Sequence, residues 1–121
     1  MADSETTILE LKNEIKKFCD ERDWDQFHGP KELAIGISTE AAELLSIFRF
    51  KTAEQIKGIL VDKSKREHVD EELADTLYFV IRFAQMYGFD LSDGLASKLE
   101  KNKKKYPVEK ARGSNMKYDE L

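Results

Sequence analysis

The sequence predicts an all-α protein, a four-helix-type bundle with one short extra helix, and three observations carry that prediction. Apolar residues recur at three- and four-residue spacing along most of the chain. Capping residues stand at the head of nearly every periodic stretch, and the period-two alternation of a half-buried strand is absent. The 121 residues suit a single domain over 1–121, and the tail from 107 to 121 lacks periodicity and is expected to be irregular.

Thr7 with Glu10 forms a capping box, and Ile8, Leu11, Ile15 and Phe18 follow on one face of a helix over about 8–22. The segment from Asp23 to Gly29, DWDQFHG, breaks the period and is dense in aromatics for a loop. Pro30 suits the first turn of a second helix, which carries Leu33, Ala34, Ile37, Ala41, Leu44, Leu45 and Phe48 to about 49. A short helix follows Thr52, with Gln55 completing its cap. Ser64 and Glu67 form a further capping box ahead of the longest helix, about 65–87, which Gly88 stops. From Leu73 to Ala84 that helix is apolar on nearly every side, the pattern of a bundle centre or a subunit interface. Asp90 or Ser92 caps a last helix to about 105, with Leu91, Leu95 and Leu99 expected inside and Pro107 just past its end.

The net charge of −4 argues against a nucleic-acid partner. No apolar run approaches the ~20 residues of a membrane span, and nothing at the N-terminus resembles a signal peptide, so a cytoplasmic location is expected. Cys19 is the one cysteine; it lies on an apolar helix face, which makes it a core residue and excludes an intrachain disulfide.

Two acidic pairs stand out. Glu40 and Glu43 lie three apart on the second helix, and Glu72 and Asp75 three apart on the longest one. Residues at i and i+3 share a helix face, so each pair aims two carboxylates in one direction. The first pair is set within IGISTEAAELLSIF, and Asp75 has Leu73, Ala74, Leu77 and Tyr78 around it. Carboxylates in core-like helices are costly unless cations pair with them. Hard divalent ions take oxygen ligands, and Mg²⁺ keeps room for waters and phosphates, so Mg²⁺, or Mn²⁺ in its place, is the expected cofactor. The competing reading of the four acids is a solvated helix face. Glu71 and Asp70 fit that second reading better than a ligand role.

E-x-x-E followed about thirty residues later by E-x-x-D resembles the signature of the MazG-like all-α nucleoside triphosphate pyrophosphohydrolases. The similarity is greatest to the dCTP pyrophosphatase-like branch and runs from about Ile8 to Leu121. ERDWDQFHGPKELA, STEAAELL, EELADTLYF, NKKKYPVEKARGS and the terminal KYDEL carry it. The resemblance implies hydrolysis of nucleoside triphosphates between the α and β phosphates, Mg²⁺ on Glu40, Glu43, Glu72 and Asp75, and a homodimer or homotetramer of four-helix units. It also implies that the loop Trp24–His28 helps enclose the nucleotide, and that Ile15, Phe50 and Phe79 stand at base-pocket positions. There the dCTP-preferring relatives carry histidine, tryptophan and tyrosine, so the resemblance does not carry their preference for cytosine over to this chain.

Under that reading the four acids, through Mg²⁺, are catalytic as well as metal-binding, with one glutamate of the first pair accepting the proton of the attacking water. Trp24, Phe27 and His28 are candidates for base or sugar contact, the alternative being that the two aromatics plug the end of the bundle. Phosphate contacts should be cationic. Lys98, Asn102 and Lys105 on the last helix, Lys31 after the aromatic loop and Arg112 in the tail are the candidates, against the plainer reading of each lysine as a solvated charge. Two other functions compete. One is a non-catalytic helical module that oligomerises or binds a partner through the apolar helix, which leaves the embedded carboxylates unexplained. The other is an enzyme acting on a phosphoribosyl nucleotide, against which the Trp24–Lys31 loop argues.

Overall fold

Thr7 caps the first helix: its side chain accepts the Glu10 N–H at 3.1 Å, and α1 runs Ile8–Asp20. The structure, a computed structural model, describes all 121 residues, Met1–Leu121, and contains helices and no strand. After α1 the loop at 23–29 holds one 3₁₀ turn, Asp25–Phe27. Pro30 begins α2, Pro30–Phe48, which ends where Phe50 takes a left-handed backbone, φ 64°. The box between Thr52 and Gln55 forms in both directions and opens α3, Ala53–Val61.

The start of the longest helix differs from expectation. Asp62, not Ser64, is the cap of α4, Lys63–Tyr87. Its carboxylate accepts the Lys65 N–H at 3.0 Å and the Ser64 hydroxyl at 3.0 Å. An ionised carboxylate outcompetes a hydroxyl at a helix N-terminus, because the charge also meets the positive end of the helix dipole. Gly88 ends α4 with φ 75°, the left-handed geometry glycine adopts without strain.

The chain divides into two compact units, Met1–Gly88 and Phe89–Leu121. In the first, α4 is the axis against which α1, α2 and α3 pack. Its buried apolar side chains come from all four helices: Cys19, Leu33, Ile59, Val69, Ile81 and Ala84. Gly36 of α2 lies against the Phe79 ring of α4; a Cβ there would come within 2.5 Å of it, so glycine sets the approach of the two helices. Numbers rise on α2 as they fall on α4: Gly36 meets Phe79 and Glu43 meets Glu72, so the pair is antiparallel. Leu73 and Leu77 are about half exposed, so this chain alone does not cover the apolar stretch it was expected to bury.

In the second unit Asp90 caps α5, Leu91–Lys105, by accepting the Asp93 N–H at 2.8 Å. Leu95 and Leu99, expected inside, are largely exposed, because the unit supplies no second long helix to receive their stripe. The tail expected to be irregular holds one helical turn, α6, Val108–Ala111, and a 3₁₀ turn, Tyr118–Glu120. Tyr118 packs edge-on to Tyr106, with Lys105 over its ring. No helix is long and apolar enough to cross a membrane.

Candidate functional site

The antiparallel register of α2 and α4 brings the two acidic pairs face to face. One carboxylate oxygen from each of Glu40, Glu43 and Glu72 lies within 4.8 Å of the other two. Asp75, one turn along α4, joins Glu40 in lining an adjacent cleft, and its charge acts on both Glu40 and Glu72. Three of the four acids singled out in the sequence therefore meet around one point, with Asp75 close enough for its charge to act on them.

Electrostatics there are unfavourable as the chain stands. Burial first, then the facing Glu43 carboxyl and the charges of Asp75 and Glu72, push Glu40 up to about 6. Burial and Glu43 likewise raise Glu72, against a smaller opposing pull from His68, whose Nε2 lies 3.4 Å from Glu72 Oε1. The Glu72 side chain is 12% exposed. Glu40 Oε2 and Glu72 Oε2 are both buried without a hydrogen-bond partner. Buried polar atoms almost always find partners, and carboxylates crowded to this degree call for positive charge. A hard divalent cation answers both demands, so this cluster could hold a metal ion.

Beside the acids lies an open cleft of ≈ 590 Å³. Phe18 and Trp24 meet edge to face at 5.5 Å, and Tyr78 and Phe79 at 5.0 Å, giving the cleft aromatic walls. Ile15 and Glu14 of α1 complete it, with Glu40 and Asp75 on its acidic side. Phe18 and Tyr78 look like ordinary packing residues in the sequence. Tyr78 also meets Cys19 through Oη and Sγ at 3.2 Å, and burial together with that contact raises its phenol, which stays neutral.

Trp24 reaches the cleft because its loop is clamped from below by Arg82. This arginine is 1% exposed, and its guanidinium donates to Asp25 Oδ1, to Gln85 and, at 2.9 Å, to His28 Nδ1. Tyr87 Oη adds a 2.7 Å bond to the His28 carbonyl. Burial and the adjacent guanidinium lower the His28 pKa, so its ring is neutral and its Nδ1 is committed to Arg82. Arg82 is invisible as a functional residue in the sequence: one arginine within LADTLYFVIRFA signals nothing by spacing.

Within the first unit, Phe27, Lys31 and Phe50 do not line the cleft. Phe27 is exposed and absent from its walls, and Lys31 lies 4.0 Å from Glu32. Phe50 is 88% exposed, under the Arg49 guanidinium. Phe79 does line it. Lys98, Asn102 and Lys105 belong to α5 and Arg112 follows α6, all within the second unit.

A helical scaffold that crowds carboxylates beside an aromatic cleft could hold a cation next to a planar ring. Comparison with known proteins gives the family. The MazG-like family model matches residues 35–121. dCTP pyrophosphatase 1 of Bos taurus is 33% identical over 118 residues, spanning 98% of this chain and 70% of that protein. The Homo sapiens protein of the same name is 33% identical over 117 residues, 97% and 69%. A pyrophosphatase crystal structure from Archaeoglobus fulgidus superposes with a TM-score of 0.77 at 31% identity, covering 88% of this chain and 98% of that one. The chain belongs to the MazG-like family, near its dCTP pyrophosphatase branch, and is a nucleotide pyrophosphohydrolase.

Proposed function

We propose that the protein is a Mg²⁺-dependent enzyme that hydrolyses nucleoside or deoxynucleoside triphosphates to the monophosphate and pyrophosphate, clearing surplus or non-standard nucleotides. The observation that carries this reading is the pair of buried, unpartnered oxygens on Glu40 and Glu72 within a three-carboxylate cluster. Glu40, Glu43, Glu72 and Asp75 would hold the metal. Bound there, Mg²⁺ supplies positive charge that offsets both the acids and the triphosphate.

The rest is the work of the chain's own side chains. Trp24, Phe18, Tyr78 and Phe79 receive the base, where stacking contributes roughly 1–3 kcal/mol and tolerates several bases. Arg82 holds the loop that carries Trp24. The first acidic pair accepts the proton of the attacking water, and Glu40 is the member whose affinity, raised to about 6, lies nearest neutral pH. Water adds to one phosphorus of the α–β bridge, the bridge P–O bond breaks, and the electron pair leaves on the bridging oxygen.

The enzyme works as a homo-oligomer, because Leu45, Leu73 and Leu77 are exposed in the single chain. Pyrophosphate release from a panel of ribo- and deoxynucleoside triphosphates, with Mg²⁺, with Mn²⁺ and with EDTA, tests the proposal. Turnover that needs the divalent ion is expected. No release from any triphosphate would leave the non-catalytic module as the better reading.

A further inference from the structure

A second cleft, of ≈ 400 Å³, opens on the far side of the acids from the aromatic one. Glu43 stands at its edge, and Ser46 and Lys51 line it together with Lys65 and His68 of α4. Its position follows from the register. Along α4 the aromatic cleft uses Tyr78 and Phe79, the acids sit at 72 and 75, and this cleft uses 68 and 65. The two clefts thus lie on either side of the carboxylates along α4. At 1.5 Å per residue, Phe79 and His68 are roughly 16 Å apart along the helix.

The two clefts differ in chemistry. One is aromatic; the other carries two ammonium groups. Neither Lys51 nor Lys65 makes a hydrogen bond or salt bridge through its ammonium. Asp62, the nearby acid that could absorb them, is committed to the Lys65 N–H and the Ser64 hydroxyl of the α4 cap. Lys65 meets the Asp62 charge only through space, so two cations without a hydrogen-bonded acid partner, in a chain of net charge −4, mark a place prepared for an anion.

We propose that this cleft receives the pyrophosphate half of the substrate, with Lys51 and Lys65 contacting the two terminal phosphates. The assignment rests on the hydrolytic reading above, and it fixes the direction in which the substrate lies: base at Phe79, scissile bridge at the acids, pyrophosphate at Lys65. The cationic contacts then come from α4 and the segment after α2.

Calorimetric titration of the full chain with inorganic pyrophosphate and, separately, with dCMP, each in the presence of Mg²⁺, tests this. In the Lys51→Met/Lys65→Met double variant, pyrophosphate affinity should fall at least tenfold while dCMP affinity stays within twofold of wild type. Lys63→Met, whose lysine lines a different groove, should change neither. Unchanged pyrophosphate binding in the double variant, or an equal loss for both products, overturns the proposal. Should the double variant lose its helical circular dichroism, Lys51→Met alone is read against the same two outcomes. A protein that hydrolyses triphosphates but binds pyrophosphate independently of these lysines refutes this inference alone. One that binds pyrophosphate through them yet hydrolyses nothing refutes the hydrolytic reading alone.

Discussion

Glu40 shows what a single crowded carboxyl does to stability. Its pKa, raised from 4.5 to about 6 chiefly by burial, means the folded chain holds a proton there that the unfolded chain has released. Between those two values stability therefore falls as pH rises, and above them the full penalty persists. The shift corresponds to about 2 kcal/mol, which solvent screening reduces to about 1 kcal/mol. Without divalent ions, Glu40→Gln should be more stable than wild type at pH 7 by about 1 kcal/mol, and the two proteins should converge near pH 4.5. Thermal melts in EDTA across that range would show it; a Glu40→Gln variant less stable at pH 7 contradicts the electrostatic account. The same variant should lose turnover, since it removes a proposed ligand. Arg82 is the opposite case, a buried charge whose partners are all in place. Arg82→Met should cost about 2 kcal/mol, below the usual range for a broken buried pair because the partner left behind, Asp25, is mostly exposed and rehydrates. It should also raise KM more than it lowers kcat, because it frees the loop bearing Trp24 and leaves the acids in place. A variant with wild-type stability and KM would show that the clamp does nothing.

At the scale of elements, the contact between α2 and α4 decides whether the acids meet. Gly36→Ala places a methyl against Cγ, Cδ1 and Cε1 of Phe79, at 2.5–2.8 Å. Those atoms belong to the body of a ring and not to the end of a flexible chain. Overpacking of this kind typically costs about 1–3 kcal/mol. The substitution should lower the melting temperature and weaken nucleotide binding, because Phe79 lines the aromatic cleft; denaturant unfolding and calorimetry measure the two effects. The sequence made most of this architecture legible. Helical spacing and the caps at Thr7, Thr52 and Asp90 place α1, α3 and α5, and the i, i+3 acids locate the faces that meet. What it hid follows from physics that spacing does not encode. Ser64 and Asp62 both suit a cap, and the charge of the aspartate decides. Phe18 and Tyr78 have the same pattern whether they fill a core or wall a cleft. Arg82 acquires its partners only because a loop more than fifty residues away folds onto it.

For the whole molecule, burial is the quantity that remains unbalanced. Leu73 and Leu77, one turn apart on α4, are 51% and 48% exposed, and Leu45 of α2 is exposed as well. Scattered apolar side chains on a surface need no explanation, but leucines one turn apart on the central helix of a small domain do. Each leucine left in water forgoes roughly 1.5–3 kcal/mol of burial. A partner copy offering the same stripe would recover that on both sides, since a two-fold interface is self-complementary. The protein should therefore scatter light as a dimer or larger assembly at micromolar concentration. Leu73→Lys with Leu77→Lys should reduce it to a monomer, because two ammonium groups per chain would meet their own copies across such an interface. Helical circular dichroism should survive, as neither position belongs to the covered core of the first unit. A wild-type monomer at these concentrations, or a double variant that assembles unchanged, places the interface elsewhere or removes the need for one.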